Sequence, residues 1–192
     1  EQLFERWAAH TLVDAPNGGV PVAPPRRGEL RLTVGPPDAT LSVEMVAPKL
    51  PPRATIFVLP GLRDDKEYMR AYAERLAEAG YRAVLVDSRG HGRSGGRWLT
   101  YGIQESRDLS QLIDALAITG PIGVLGHSYG GSTALQWAGR EPRLRAAIGL
   151  GAFTTLRECV RDLPILGTIV PHFILERAIE RGSRMAHFHP DE

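Results

Sequence analysis

From Ala54 onward the chain repeats one pattern, a short continuous apolar run followed by a longer stretch with helical spacing. The runs are ATIFVLP, RAVLVDS, PIGVLG and AAIGLG. Between the first two, Met69, Tyr72, Ala73 and Leu76 recur at i, i+3, i+4 and i+7. That spacing predicts an amphipathic helix, with Asp64 or Asp65 as its cap and Gly80 as its stop. Between the second and third runs, Leu109, Leu112, Ile113 and Leu116 predict another, ended by Gly120-Pro121. Strands that are apolar throughout are those covered on both faces, and strand–helix alternation requires a parallel sheet. The fold class is therefore α/β.

Upstream, the pattern differs. GELRLTV and ATLSVEMVA alternate apolar and polar residues around Gly35-Pro36-Pro37-Asp38 and read as an antiparallel hairpin. Glu1 to Ala9 reads as a short helix, and ten of the 15 prolines lie at or before Pro60. Downstream, Phe153 to His189 breaks the strand–helix rhythm with two predicted helices, so residues 154–192 read as the start of a helical cap on a single domain spanning 1–192. PILGTIVPHFIL, from Pro164 to Leu175, is shorter than the roughly 20 residues of a spanning helix and contains Pro171. It reads as a packed or groove-lining segment, and no membrane span is expected.

Composition narrows the partners. Lys and Arg total 23 against 22 Asp and Glu, a formal charge of +1, so nothing points to nucleic acid or anionic lipid. Cys159 is the single cysteine, which excludes an internal disulfide and a thiolate metal cluster. It reads as filler on a helix. The chain starts at Glu1 with no basic and apolar leader, which suggests a processed or cut start and leaves the cytoplasm as the default compartment. The oligomeric state is left open.

The candidate chemistry lies in Gly126-His127-Ser128-Tyr129-Gly130, a G-x-S-x-G pattern. Gly92-Arg93-Ser94-Gly95-Gly96 is a second match, so context decides. PIGVLG runs straight into Ser128, and SYGGSTALQWAGR leaves as a predicted helix. That strand-to-helix turn holds a serine oxygen above a sheet and turns the first helical N–H groups toward a developing oxyanion. Ser94 has no following helix and reads as a loop serine. Gly90-His91-Gly92-Arg93-Ser94-Gly95 also fits G-x-G-x-x-G, but RWLTYGI follows where a dinucleotide site needs a helix, and no acid stands at the ribose position.

FVLPGL, DSRGHGRSGG and GHSYGG, in this order and spacing, resemble an α/β-hydrolase of the serine esterase, prolyl-oligopeptidase-like or serine aminopeptidase branches, from about Gly28 to Gly151. The resemblance implies a mostly parallel sheet with helices on both faces and Ser128 as nucleophile. It implies oxyanion donors in the Tyr129 N–H and, from the loop after ATIFVLP, the Leu62 N–H, with Arg63 the alternative. The family often has His-Gly where this chain has Pro60-Gly61. The stretch Asp87 to Ser94 matches a structural loop of the family, so His91 is no catalyst. A serine rather than an aspartate at the elbow argues against a dehalogenase or epoxide hydrolase.

The acid and the histidine follow the serine in this fold. Only 64 residues follow Ser128, so at roughly 30 residues per strand–helix unit the chain reads as incomplete at its C-terminal side. Its sheet edge then lacks neighbours, and the isolated chain is expected to fold poorly or aggregate. His127 should point away from the serine. Asp162 with His172, His187 or His189 has the right order but lies in the irregular tail, where surface histidines are the simpler reading. His187, His189 and Asp191 also make a poor metal site, and no cofactor is required.

The sequence thus predicts a serine hydrolase that opens an ester, thioester or amide of a small-molecule acyl substrate. The alternatives are a noncatalytic binding or scaffold protein on the same fold and, more distantly, a dinucleotide oxidoreductase.

Overall fold

The structure, a computed structural model, describes residues 2–19, 24–162 and 170–191. The early hairpin forms as β1 (Glu29–Val34) and β2 (Ala39–Val46), with Leu32 opposite Leu41 and Val34 opposite Ala39. The apolar runs become β3 (Thr55–Leu59), β4 (Arg82–Val86), β5 (Ile122–His127) and β6 (Leu144–Leu150). One six-stranded sheet results, ordered β1-β2-β4-β3-β5-β6. The β4-β3, β3-β5 and β5-β6 pairings are parallel, and β1 and β2 add antiparallel.

Alternate residues of each central strand enter opposite cores, as the period of two requires. Phe57, Leu59, Val84 and Val86 face α3 (Ile103–Ala115) and α4 (Tyr129–Arg140), meeting Leu109, Leu112, Ile113 and Trp137. The Trp137 ring sits edge-on to Phe57 at 5.1 Å between centroids. Val58, Ala83 and Leu85 face the other way onto Met69 and Ala73, on the 3-10 turn Lys66–Met69 and α2 (Arg70–Glu78). Helices therefore cover both faces, which is why these strands carry no polar alternation.

Two helix details depart from the sequence pattern. Tyr72, one of the predicted core positions, is 44% exposed, because the helix is preceded by a 3-10 turn that rotates the stripe. Asp65 caps that turn, accepting from the Glu67 N–H at 3.0 Å. The third helix ends before Gly120. Ala117 takes the left-handed conformation at φ 49°, and the Ile118 N–H reaches back to Ile113 O at 3.0 Å. Burial of Ile118 in the main core draws the chain off the helix early.

The tail contains α5 (Leu156–Asp162) and α6 (His172–Ala186). Leu156, Val160, Leu175 and Ile179 close on Leu99, Tyr101 and Tyr129 in a separate apolar cluster. The predicted N-terminal helix runs further than Ala9, as α1 (Gln2–Val13), and packs along α6. Of PILGTIVPHFIL, residues 164–169 lie outside the described residues, and Leu175 is buried. Among the described residues no helix is long and apolar enough to cross a membrane.

Candidate active site

β5 delivers His127 to the carboxyl end of the sheet, and Ser128 turns the chain into α4 as its N-cap residue. Its backbone sits at φ 50° and ψ −114°, a conformation that L-residues seldom adopt. Neighbouring glycines permit the turn. A Cβ on Gly126 would lie 2.0 Å from Gly130 O, and one on Gly130 would lie 2.4 Å from Pro60 O. The Ser128 N–H donates to Leu150 O at 2.7 Å, which fixes the elbow to β6, and Ser128 O accepts the Ser132 N–H at 2.9 Å.

The loop after β3 closes over this turn. A Cβ placed on Gly61 would be 3.6 Å from Ser128 Cβ, so Leu62 begins one residue from contact with the serine. Among the described residues neither the Leu62 nor the Tyr129 N–H is taken up by a hydrogen bond. Tyr129 also stands at the N-terminal end of α4, where N–H groups lack partners and the helix dipole favours negative charge.

The Tyr129 side chain points into the molecule. Its OH donates to Glu105 Oε1 at 2.8 Å. The same carboxylate accepts the Thr100 N–H at 3.0 Å, Thr100 Oγ1 at 2.6 Å and the Gly102 N–H at 2.9 Å. Burial, reinforced by the Glu105 charge, raises the Tyr129 phenol well above its ordinary value, so it stays protonated and donating. Glu105 thus ties the residue after the serine to the start of α3. Glu105 is not among the sequence candidates, although its place three residues after Gly102 at a helix start is the position of a capping-box acid.

The loop Asp87–Ser94 is built as a support. Asp87 accepts from the Lys66 N–H at 2.6 Å, Lys66 Nζ at 3.0 Å and the Arg93 N–H at 2.9 Å. Arg89 grips Asp108 through two bonds of 2.7 Å, both side chains nearly fully buried. Ser94 Oγ donates to Asp87 O at 2.6 Å and accepts the Ser42 N–H at 2.8 Å. Burial lowers the pKa of His91, whose ring packs on Tyr129 at 5.1 Å. The Gly90 N–H bonds Gly95 O at 2.9 Å and the Gly95 N–H bonds Thr40 O at 2.8 Å, so the glycine-rich pattern closes on itself instead of opening a helix toward a phosphate.

Among the described residues no histidine hydrogen-bonds Ser128. His172 and His189 are 66% and 67% exposed and lie beside Glu176 and Asp191. His187 is exposed at the C-terminal cap of α6. His127 packs against Tyr68 at 5.5 Å between ring centroids, its Nδ1 buried beneath Gly61 without a partner. Cys159 is half-buried on α5. Among the described residues no group of three or more His, Cys, Asp or Glu side chains is gathered as a metal site.

With this geometry in place the chain can be compared with known proteins. The family described as Serine aminopeptidase, S33 matches residues 50–187. The chain belongs to that family, within the α/β-hydrolase superfamily. Its relatives include a monoacylglycerol lipase of Mycolicibacterium smegmatis, 31% identical over 105 residues, which are 50% of this chain and 36% of that protein. An epoxide hydrolase of Caballeronia sordidicola is 35% identical over 94 residues, 47% of this chain and 28% of that one. An esterase of Pyrococcus furiosus shares the fold with a TM-score of 0.62 at 22% identity, over 81% of this chain and 61% of its own. This α/β-hydrolase chain spans about a third of the two curated relatives' length.

Proposed function

We propose that the chain is a serine hydrolase acting on a carboxylic ester, thioester or amide of a small acyl substrate. Ser128 Oγ attacks the carbonyl carbon, the leaving group departs, and water releases the acyl group in a second step. The Leu62 and Tyr129 N–H groups hold the tetrahedral oxyanion, and Glu105 keeps Tyr129 in place for that role. The elbow carries the reading: a strained serine at the N-terminus of α4, with two uncommitted N–H groups flanking it. A serine at this position favours acyl chemistry over epoxide opening, which uses a carboxylate nucleophile in this fold. Within 154–192, read as the start of a cap, the described helices α5 and α6 cover the elbow side of the molecule, a role supported by the contact of Leu156, Val160, Leu175 and Ile179 with the Tyr129 cluster.

A fluorophosphonate probe with mass-spectrometric mapping tests the reading on this chain. Labelling at Ser128 that is absent from Ser128→Ala is the expected result. The proton acceptor is not among the histidines described above, and this favours a second reading, a noncatalytic binding protein on the hydrolase fold. A chain that melts cooperatively but takes no label would count against an activated Ser128 and favour the second reading.

A further inference from the structure

Several cavities of similar size open among the described residues. One, about 550 Å³, lies beside Val46–Leu50 and Gly80, at the amino end of β4 and away from the elbow. A second, about 570 Å³, lies between α1 and the loop after β3, lined by Trp7, His10, Asp14, Leu62, Arg63 and Leu99 among others. Ligands of open α/β sheets bind beyond the carboxyl ends of the strands. The second cavity satisfies that rule, and its wall includes Leu62, the oxyanion donor of the proposed mechanism.

Its charges are not equivalent. Asp14 Oδ2 meets His10 Nδ1 at 3.0 Å, so the acid of the cavity already has a partner. Arg63 is exposed and, among the described residues, makes no hydrogen bond or ion pair. Its φ of 68° places an arginine in the left-handed region, a conformation that clusters at ligand sites. Arg63 lines the cavity together with Trp7, His10 and Thr11 of α1. Asp64, the other acid of the loop, lies near the Cβ position of Gly61 beside His127 and does not line the cavity.

We infer that the α1 cavity is the recognition site for a carboxylate carried by the ester substrate, with Arg63 as its counter-ion. The guanidinium fork suits a planar carboxylate, and a single uncommitted cation beside Asp14 suits one negative charge rather than a phosphate dianion. Trp7, Leu62 and Leu99 supply the apolar part of the cavity wall, and the loop that carries Leu62 approaches the elbow at Gly61. The inference rests on Ser128 as nucleophile only for the position of the scissile bond.

Binding and turnover are measured separately. On Ser128→Ala, calorimetric titration with monomethyl glutarate should show binding that methyl pentanoate lacks, weakened about tenfold or more by adding Arg63→Gln and partly restored by Arg63→Lys. On the unaltered chain, the ratio of kcat/KM for mono-p-nitrophenyl glutarate over p-nitrophenyl pentanoate should fall about tenfold with Arg63→Gln. Equal binding of the charged and neutral esters, or no loss with Arg63→Gln, overturns the inference. So does tighter binding of methyl 4-aminobutyrate, which would make Asp14 the recognising group. Anion binding that depends on Arg63 in a chain that takes no fluorophosphonate would retain the cavity and reject the nucleophile; labelling without charge preference would do the reverse.

Discussion

At the residue scale, Ser128 holds a conformation that its own side chain opposes. A non-glycine residue kept in such a region costs about 1–3 kcal/mol, supplied by the surrounding structure. Glycine accepts these angles but adds freedom to the unfolded chain worth about 0.5–1 kcal/mol. Ser128→Gly should therefore melt above Ser128→Ala, by about 2–4 °C per kcal/mol regained, in differential scanning calorimetry of the two variants. Equal melting temperatures would show that the turn is unstrained. The residues facing the elbow were unevenly legible in the sequence. Ser128 announced itself through the strand before it and the helix after it. Glu105 was not among the sequence candidates, because its partner Tyr129 is 24 residues away and nothing local predicts that bond. Arg63 was visible only as the alternative to Leu62 as backbone donor, since the cavity it borders includes residues of α1 far away in sequence.

At the element scale, β1 and β2 are held to the Asp87 loop through one carboxylate. Glu29 accepts Ser42 Oγ at 2.7 Å, the Arg26 N–H at 3.1 Å and Arg93 Nε at 3.0 Å. Burial pushes its pKa up, but the Ser42 and Arg26 hydrogen bonds and the charges of Lys66 and Arg31 prevail and bring it to about 2 from 4.5. Because the folded-state value is depressed, the stabilisation is complete above the unfolded value near 4.5 and disappears as pH falls toward 2. Urea midpoints of the wild type and Glu29→Gln should differ at pH 7 by the equivalent of about 3 kcal/mol at most and converge near pH 2. A gap unchanged across that range would mean that Glu29 acts by packing alone. The strands of this sheet were legible because continuous apolar runs have few other uses in a chain of this polarity. The end of α3 was less so: Ala117 carries no turn signal, and the deciding force is the pull of Ile118 into the core.

At the scale of the whole molecule, two helices far apart in sequence, α1 and α6, pack against each other. Ala8, Ala9 and Val13 of α1 are buried, as are Ala178, Ile179 and Gly182 of α6, and Glu5 pairs with Arg177 at 3.2 Å. A Cβ on Gly182 would lie 3.1 Å from Val13 Cγ1 and 3.2 Å from Ala9 O, so the helices approach closely at that point. Gly182→Val should push them apart at a cost of about 1–3 kcal/mol. Hydrogen exchange is expected to accelerate in residues 2–13 while the β3 and β5 amides remain protected; uniform acceleration would instead mean that the two helices and the sheet unfold as one unit. None of this pairing could be read in advance, because small residues on a helix do not name the surface they will meet. It also sets a timetable. With synthesis at about 5–20 residues per second, α1 leaves the ribosome roughly 10–30 s before Gly182 is made. Through that interval the first helix has no companion, and the cavity bearing Arg63 lacks a settled wall. Pulse labelling of nascent chains should find α1 unprotected when synthesis is stalled before α6 and protected once α6 has left the ribosome, which would make the wall of the Arg63 cavity form later than the sheet beneath it.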